Sequence, residues 1–302
     1  MTKLNLIDEE SIFYNKFVDC FFKGAALQDI HVNSDHGYAA KKRTETLDPI
    51  FIKKRKIAAK NEFSRVFDHL KNLVDPVDKN FGFEGKSVLD FGCGTGALSV
   101  AMASRGAEVT GVDPTEVSLE ACKYRAQYFQ VENSVTPQLV SSTPELPFDD
   151  KSFDIVISNS VMEFIPFNRK EYIIELLRLV KASGLLIIST ENGLFPFDYY
   201  TGQMFPIFRR KNEISNNRPY GITYFELLGW AKSSTRKVTD LSKKNIFNSF
   251  DKLEKRKMEE GRNVSASFVC GLNTLLKWSC RLISIPSDIF LPYTTFILRV
   301  DE

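Results

Sequence analysis

The chain has 302 residues, of which 43% are hydrophobic and 26% are charged. These fractions are typical of soluble globular proteins and exclude a largely disordered chain. The length suggests about two domains, or one domain with insertions. The formal net charge is only +2, which excludes the strong basic field of nucleic-acid-binding proteins, so we expect no nucleic-acid partner.

The five cysteines are scattered and show neither CxxC spacing nor a Cys/His cluster. We therefore expect reduced thiols and no metal site. The polar, acidic N-terminus differs from a signal peptide, and no run of about 20 apolar residues follows it, so we expect a cytoplasmic protein. Residues 268–290 form an amphipathic stretch, which would either contact a membrane near a lipid-linked substrate or pack on the protein's own core.

The N-terminal region has apolar residues at helical spacing over residues 8–73, with a break at Asp48-Pro49. This pattern predicts two or three helices, the second over residues 52–73. A linker is predicted at residues 75–85. We therefore divide the chain into residues 1–80, a helical lid that would cover the substrate, and residues 81–302, the main domain.

Strand and helix patterns alternate from residue 87 onward. Such alternation is typical of βαβ units wound into a parallel α/β sheet. The predicted elements are strand 87–91, helix 97–104, strand 108–112, helix 116–129, strand 136–140, strand 153–158, helix 169–180 and, after a turn at Ser183-Gly184, strand 185–190.

The alternation stops after residue 190. Two insertions are expected, at residues 193–222 and 242–292, and the second is predicted to be helical. A short helix at 224–231 and a strand at 236–241 lie between them. Residues 294–300 predict a final strand, which we expect to pair antiparallel at an edge of the sheet.

A glycine-rich segment follows the first predicted strand and reads Asp90-Phe91-Gly92-Cys93-Gly94-Thr95-Gly96. Glycines here permit a tight turn into a helix and a close approach of the backbone to a ligand. They also fit the GxGxxA variant of the dinucleotide fingerprint. The glycines alone therefore leave open whether the ligand is a nicotinamide or another adenosine cofactor.

Two aspartates favour S-adenosylmethionine. Asp90 would repel a pyrophosphate at the helix N-terminus but would attract the ammonium and sulfonium groups of a methyl donor. Asp113 lies about 20 residues beyond the glycines, where a carboxylate accepts hydrogen bonds from both ribose hydroxyls. The alternative is that Asp90 caps the following turn and Asp113 starts the next one.

Four segments carry a resemblance to a known family: VLDFGCGTG at 88–96, GAEVTGVDP at 106–114, ELPFDDKSFDIVIS at 145–158 and LVKASGLLIIST at 179–190. In these the sequence resembles the class I S-adenosylmethionine-dependent methyltransferases, in the small-molecule branch that includes the ubiquinone O-methyltransferases. The resemblance implies a Rossmann-like, doubly wound, mostly parallel seven-stranded sheet. It also implies methyl transfer from S-adenosyl-L-methionine to a small molecule, at a hydroxyl oxygen of a saccharide, lipid-linked or quinone-like acceptor.

The aspartates and the resemblance together define a predicted cofactor-binding set. Ser142 and Thr143 are placed against the adenine by the resemblance, although family members often have Asp-Ala there. The full set is Asp90, Gly92, Cys93, Gly94, Gly96, Asp113, Pro114, Ser142, Thr143 and Asn159.

The catalytic residues are less clearly indicated. Glu163 and Phe164 stand where many family members have Glu-His, which argues against a histidine base or a Glu/His metal site there. We expect Phe164 to be a wall or core residue and Glu163 to be solvated or to cap a helix.

The remaining catalytic candidates lie in the two regions expected to border the substrate. Asp198 and Tyr200 belong to an insertion that resembles one in methyltransferases of polysaccharide and cell-envelope pathways. His31 and His36 lie in the predicted lid.

Other functions stay open at this point. A nicotinamide-dependent oxidoreductase is disfavoured by Asp90 and by the lack of an evident Tyr/Lys or His arrangement for hydride transfer. A nucleic-acid methyltransferase is disfavoured because the loop after the fourth strand reads NSVM instead of Asn/Asp-Pro-Pro-aromatic. A non-catalytic S-adenosylmethionine-binding protein remains an alternative because no base is identified.

Overall fold

The computed structural model describes residues 7–32, 49–165, 168–193, 221–242 and 293–301. These residues include a seven-stranded sheet with the strand order β3-β2-β1-β4-β5-β7-β6. The strands are β1 (Ser87–Phe91), β2 (Glu108–Asp113), β3 (Val135–Leu139), β4 (Phe153–Asn159), β5 (Val180–Glu191), β6 (Val238–Asp240) and β7 (Tyr293–Val300). The predicted α/β class and the seven-stranded, mostly parallel sheet are confirmed.

Eight α-helices lie in the same part of the chain. They are α1 (Ile12–Val32), α2 (Pro49–Phe63), α3 (Arg65–His69), α4 (Asp75–Phe81), α5 (Ala97–Ala103), α6 (Glu116–Tyr128), α7 (Arg169–Leu179) and α8 (Tyr224–Lys232). A π-helical turn at Leu70–Val74 and a 3₁₀ turn at Met162–Phe164 complete the helical elements. None of the helices that the structure describes is long and apolar enough to cross a membrane.

The chain forms two compact units, Met1–Thr143 and Pro144–Glu302. In the first unit β1 and β3 each pair in parallel with β2. Val88 and Leu89 of β1 have no exposed surface, as expected for a strand of a parallel sheet that is covered on both faces. The functional division of the chain at residue 80 stays a prediction.

In the second unit β4 and β5 are parallel, and β7 is antiparallel to both β5 and β6. The antiparallel direction of the last strand is therefore confirmed. Its position at the edge was wrong, because residues 238–240 pair with residues 298–300 and cover that side of β7. The Ser183-Gly184 turn lies inside β5, where Ser183 has a φ of 64° and the register against β4 shifts.

The predicted linker at residues 75–85 is in large part helix α4, so that prediction was wrong for residues 75–81. A proline in the first turn of a helix is tolerated because its missing N–H would have no partner inside the helix there. Asp75 and Asp78 place negative charge at the same end, which the helix dipole favours. The helix ends at Gly82, which has a φ of 71°.

The predicted second helix is also divided, into α2, α3 and the π-helical turn. Of the two predicted insertions, only residues 193, 221–222 and 242 fall within the described part of the chain.

An aromatic cluster packs α1 and α2 against α6 in the first unit. At its centre the Phe63 ring has no exposed surface, and its centroid lies 4.8 Å from that of Phe17 and 4.8 Å from that of Tyr128. Tyr14 and Phe129 complete the contacts at 5.0 and 5.7 Å. The apolar residues that predicted helix α1 thus form a core with the helix that follows β2.

Replacing Phe63 with alanine should lower the free energy of unfolding by about 3 to 5 kcal/mol, the usual cost of deleting a buried phenylalanine ring. Urea denaturation followed by circular dichroism would measure the loss. Ile57→Ala, at a position of α2 that is 53% exposed, is the matched control and should change stability by about 0.5 kcal/mol or less. Equal effects of the two substitutions would contradict the central role of Phe63.

Candidate functional site

The glycine segment forms the connection between β1 and α5. Gly92, Gly94 and Gly96 have φ values of 73°, 52° and 77°, in the left-handed region that favours glycine. A Cβ atom on Gly96 would lie 2.1 Å from the Sγ atom of Cys122 on α6. The loop therefore packs directly on a neighbouring helix, which only glycine permits at this position.

Asp113 joins this loop to the turn after β2. Its Oδ2 accepts a hydrogen bond from the Gly94 N–H at 3.0 Å, and its Oδ1 accepts one from the Thr115 N–H at 2.9 Å. Burial raises the pKa of the Asp113 carboxyl, and the two backbone donors oppose that rise. Each carboxylate oxygen retains a further lone pair, so the group can also accept hydrogen bonds from ribose hydroxyls.

Asp90 is a buried carboxylate at the end of β1. Its side chain is 2% exposed, and its Oδ2 accepts a hydrogen bond from the Ser99 hydroxyl of α5 at 2.6 Å. Burial raises the pKa of Asp90 to about 7, and the nearby charge of Asp113 adds to the rise. A cation bound beside Asp90 would stabilise its ionised form, because burying a carboxylate is costly without a compensating charge.

The other predicted cofactor residues of the first unit lie around this centre. Cys93 is buried, and its contact with Cys122, together with burial, holds the pKa of the Cys93 thiol well above its usual value. A protonated, buried thiol lines a site and does not act as a nucleophile.

Pro114, Ser142 and Thr143 are exposed. The N–H of Val140 bonds the Asp113 carbonyl at 3.3 Å, so Ser142 follows closely on the end of the β2–β3 pair. Asn159, the remaining predicted residue, is the last residue of β4 in the second unit and is half-buried. Its assignment to the cofactor stays a prediction.

Sequence analysis missed a buried ion-pair network on the same loop. The Arg125 side chain has no exposed surface, and its Nη1 donates to the carbonyl of Thr95 at 2.6 Å. Its Nη2 donates to the Glu62 carbonyl at 2.7 Å and lies 3.6 Å from the Glu62 carboxylate. The Thr95 hydroxyl donates to the same carboxylate at 2.7 Å, which closes the network.

Arg125 also lies against the aromatic cluster, 4.5 Å from the ring centroid of Phe17. Burial lowers the pKa of Arg125 to about 10, so the guanidinium stays charged at neutral pH. Burial is the largest single influence and disfavours the ionised form of Glu62. The charges of Arg125 and Arg65, together with hydrogen bonds from Thr95 and Arg65, outweigh it and hold the Glu62 pKa below its usual value. The sequence signal was an arginine on the face of α6 that also carries Ala121, Cys122 and Ala126.

In the loop after β4 the structure corrects two predictions. Glu163 was expected to be solvated or to cap a helix, but it is 1% exposed, because the 3₁₀ turn directs it inward to the Thr190 hydroxyl. Phe164 was expected to be a wall or core residue, and the core assignment is wrong because its side chain is 57% exposed. The 3₁₀ turn therefore directs Glu163 toward the protein interior and Phe164 toward solvent.

The four catalytic candidates from the sequence are not placed by the structure. His36, Asp198 and Tyr200 lie outside the described residues, and the side chain of His31 in α1 does as well. Within the described ranges, no group of three or more His, Cys, Asp or Glu residues is arranged to hold a metal ion.

Comparison with known proteins shows similarity over the part of the chain that contains the glycine loop. Residues 89–188 match the family model described as a methyltransferase domain. The chain is 37% identical over 134 residues to a ubiquinone biosynthesis O-methyltransferase of Pseudomonas fluorescens, covering 44% of this chain and 56% of the relative. The corresponding enzyme of Pseudomonas aeruginosa strain PAO1 matches with the same identity and coverage. The chain thus spans about half the length of the curated relatives it matches.

The similarity to solved structures is weaker. An S-adenosylmethionine-dependent methyltransferase from Mesorhizobium loti is 15% identical, with a TM-score of 0.49 over 74% of this chain and 95% of the other. Values this low add nothing to the family match. Residues 89–188 are thus similar to a methyltransferase domain, and the likeness covers that segment of the chain.

Replacing Asp113 with alanine should weaken binding of S-adenosylhomocysteine by about 1.5 to 3 kcal/mol, the range for hydrogen bonds to a charged group. The loss would arise from the ribose contacts and from a looser glycine loop. Isothermal titration calorimetry measures the affinity directly. Glu116→Ala, which removes an exposed carboxylate in the first turn of α6, is the control and should bind normally. Unchanged affinity in Asp113→Ala would refute this role.

Proposed function

We propose that this protein transfers a methyl group from S-adenosylmethionine to a hydroxyl oxygen of a small-molecule acceptor. The observation that carries the proposal is the Asp113 carboxylate, which ends β2 and holds the glycine loop through the Gly94 N–H. A carboxylate at this position, next to glycines in the left-handed region, suits the ribose of an adenosine cofactor. The match of residues 89–188 to a methyltransferase domain supports the same conclusion.

The residues present fit S-adenosylmethionine. Asp113 would accept hydrogen bonds from the ribose hydroxyls, and the loop from Gly92 to Gly96 would lie against the cofactor backbone. Buried Asp90 would offset the positive charge of the methionine end. When bound, the cofactor supplies a methyl group on a positively charged sulfur. Pro114, Ser142, Thr143 and Asn159 complete the proposed set.

For the acceptor we propose a quinone-like hydroxyl compound. Its support is the 37% identity to proteins named ubiquinone biosynthesis O-methyltransferases. Saccharide and lipid-linked acceptors are the alternatives, favoured by the resemblance of residues 191–202 to an insertion in cell-envelope methyltransferases.

A nicotinamide-dependent oxidoreductase is a weaker proposal, because a buried carboxylate at Asp90 would repel a pyrophosphate. A non-catalytic S-adenosylmethionine-binding protein would share every feature of the first unit. Turnover of an acceptor, and not cofactor binding, distinguishes it from an enzyme.

S-adenosylhomocysteine should raise the melting temperature, while NAD and NADP should not, because a ligand stabilises only the fold that binds it. At a hundredfold excess over Kd the stabilisation is about 2.7 kcal/mol, or about 5 °C for a chain of this size. Differential scanning fluorimetry measures the shift. A shift with NADP alone would overturn the cofactor assignment.

Affinity for S-adenosylmethionine should increase as the pH rises through about 7, because burial raises the pKa of Asp90 to about 7 and a cationic ligand prefers its ionised form. Only about a tenth of Asp90 is ionised one unit below its pKa, so affinity at pH 6 should be about tenfold lower than at pH 8. Calorimetry at both pH values measures the ratio.

The variant Asp90→Asn should flatten this pH dependence, since it removes the titrating group. Asp75→Asn, at a solvent-accessible carboxylate that pairs with Arg105, should leave it unchanged. If the slope persists in Asp90→Asn, another group is responsible and the role of Asp90 is disproved.

A further inference from the structure

A second buried carboxylate lies in the unit of residues 144–302, and the proposed cofactor site does not use it. Glu163 is 1% exposed, and both of its carboxylate oxygens accept hydrogen bonds from hydroxyl groups. The Thr190 hydroxyl donates to Oε2 at 2.8 Å, and the Tyr293 hydroxyl donates to Oε1 at 3.0 Å. Burial raises the pKa of Glu163 above its usual value, although these hydroxyl donors oppose the rise.

The hydrogen bonds run in one direction toward Glu163. Tyr293 has one hydroxyl proton, which it donates to the carboxylate, so its oxygen is left as an acceptor. The Ser160 hydroxyl lies within hydrogen-bonding distance of that oxygen. Ser160, Tyr293 and Glu163 therefore form a chain along which a proton can move inward.

The middle member of this chain is accessible. Tyr293 is 37% exposed, in contrast to Glu163 behind it. Ser160 directly follows β4 and has a φ of 59°, a left-handed conformation that is uncommon outside glycine. Backbone strain of this kind is concentrated at functional sites.

The position of the group in the sheet is that of a ligand site. Ser160 follows the carboxyl end of β4, Thr190 is near the carboxyl end of β5, and Tyr293 begins the antiparallel strand β7, where it pairs with Glu191. All of them therefore lie at one edge, the carboxyl edge of the parallel strands. Ligands of open α/β sheets bind at this edge.

We infer that the Tyr293 hydroxyl is the catalytic group that accepts the proton of the acceptor hydroxyl, and that Glu163 accepts the Tyr293 proton in turn. This inference rests on the proposed function and names the proton acceptor that sequence analysis did not find. It places that role on β7 and the 3₁₀ turn, apart from His31, His36, Asp198 and Tyr200.

The atoms and charges of the step balance. The acceptor O–H bond breaks and its proton moves to the Tyr293 oxygen, while the phenolic proton of Tyr293 moves to Oε1 of Glu163. The electron pair left on the acceptor oxygen forms the new bond to the methyl carbon, and the pair of the broken carbon–sulfur bond stays on sulfur. Glu163 then returns the proton to water through Tyr293, which restores the starting state.

This route for the proton favours one class of methyl acceptor. The proton that the methyl acceptor loses ends on the Glu163 carboxylate, so its transfer through Tyr293 costs less when the acceptor is a phenol, whose hydroxyl is more acidic than an aliphatic one. An aliphatic sugar hydroxyl is far less acidic, so the transfer of its proton to Glu163 through Tyr293 would cost much more. An aromatic hydroxyl is therefore the acceptor class that suits this chain of hydrogen bonds.

The test uses two probes, 1,2-dihydroxybenzene and its 4-nitro derivative, whose hydroxyl groups are more acidic. Formation of S-adenosylhomocysteine is followed in the full chain. Tyr293→Phe should lower kcat on 1,2-dihydroxybenzene by about a hundredfold or more, the usual contribution of a general base, with little change in KM. On the nitro probe the loss should be less than about tenfold, because an acidic hydroxyl needs less help from a base.

Two further variants separate a chemical role from a structural one. Glu163→Gln should also lower kcat. At saturating S-adenosylmethionine it should remove the decrease of kcat/KM for the methyl acceptor that protonation of Glu163 causes at low pH in the unmodified protein. Tyr224→Phe is the matched control, because the Tyr224 hydroxyl donates to Asp240 at 2.6 Å, a similar tyrosine–carboxylate pair elsewhere in this unit. It should turn over both probes at the normal rate.

Each outcome decides the inference. Normal turnover in Tyr293→Phe, or an equal loss on both probes, would show that Tyr293 has only a structural role. A protein that binds S-adenosylhomocysteine in calorimetry but methylates neither probe would overturn the aromatic acceptor and leave the proposed methyl donor intact. Failure to bind S-adenosylhomocysteine would instead contradict the proposed function itself.

Discussion

The first unit depends on one buried positive charge, the guanidinium of Arg125. It bonds the carbonyl oxygens of Thr95 and Glu62, and so it connects the glycine loop, the end of α2 and helix α6. A charged group with no exposed surface is tolerated only when other groups replace the water it has lost. Glu62, the two carbonyls and the Phe17 ring supply this replacement. The geometry of the glycine loop is therefore coupled to the packing of the N-terminal helices.

This coupling changes how the N-terminal helices are understood. Residues 1–80 are predicted to be a helical lid, and α1 and α2 in addition contribute Phe17 and Phe63 to a core with α6. Removing either ring would disturb the surroundings of Arg125 as well as the hydrophobic core. These helices thus support the loop that is proposed to hold the cofactor, whatever part they take in covering a substrate.

Carboxylates that are wholly or partly buried are the second theme, and each unit has its own. Asp90 and Asp113 lie at the ends of β1 and β2, while Glu163 follows β4. In all three, burial raises the pKa, and hydrogen-bond donors on neighbouring elements oppose the rise. The donors differ in kind: backbone N–H groups hold Asp113, whereas hydroxyl groups surround Glu163.

The sequence by itself determined the α/β class, the order of the strands along the chain and the glycine loop with its two aspartates. These features are local, because a strand, a turn and a helix start each depend on a few adjacent residues. Element boundaries were less accurate. The proline at residue 76 suggested a linker, but it lies in the first turn of helix α4. Proline is common both in linkers and in the first turn of helices, so its presence does not distinguish them.

Only the tertiary structure decided which distant residues meet. Arg125 is 63 residues from Glu62, and Tyr293 is 130 residues from Glu163. No local pattern encodes such pairs, because they arise when strands and helices from separate parts of the chain pack together. The same reason explains why Glu163 was expected in solvent and is found buried. A single turn residue can face either way, and the neighbouring strands β5 and β7 determine which.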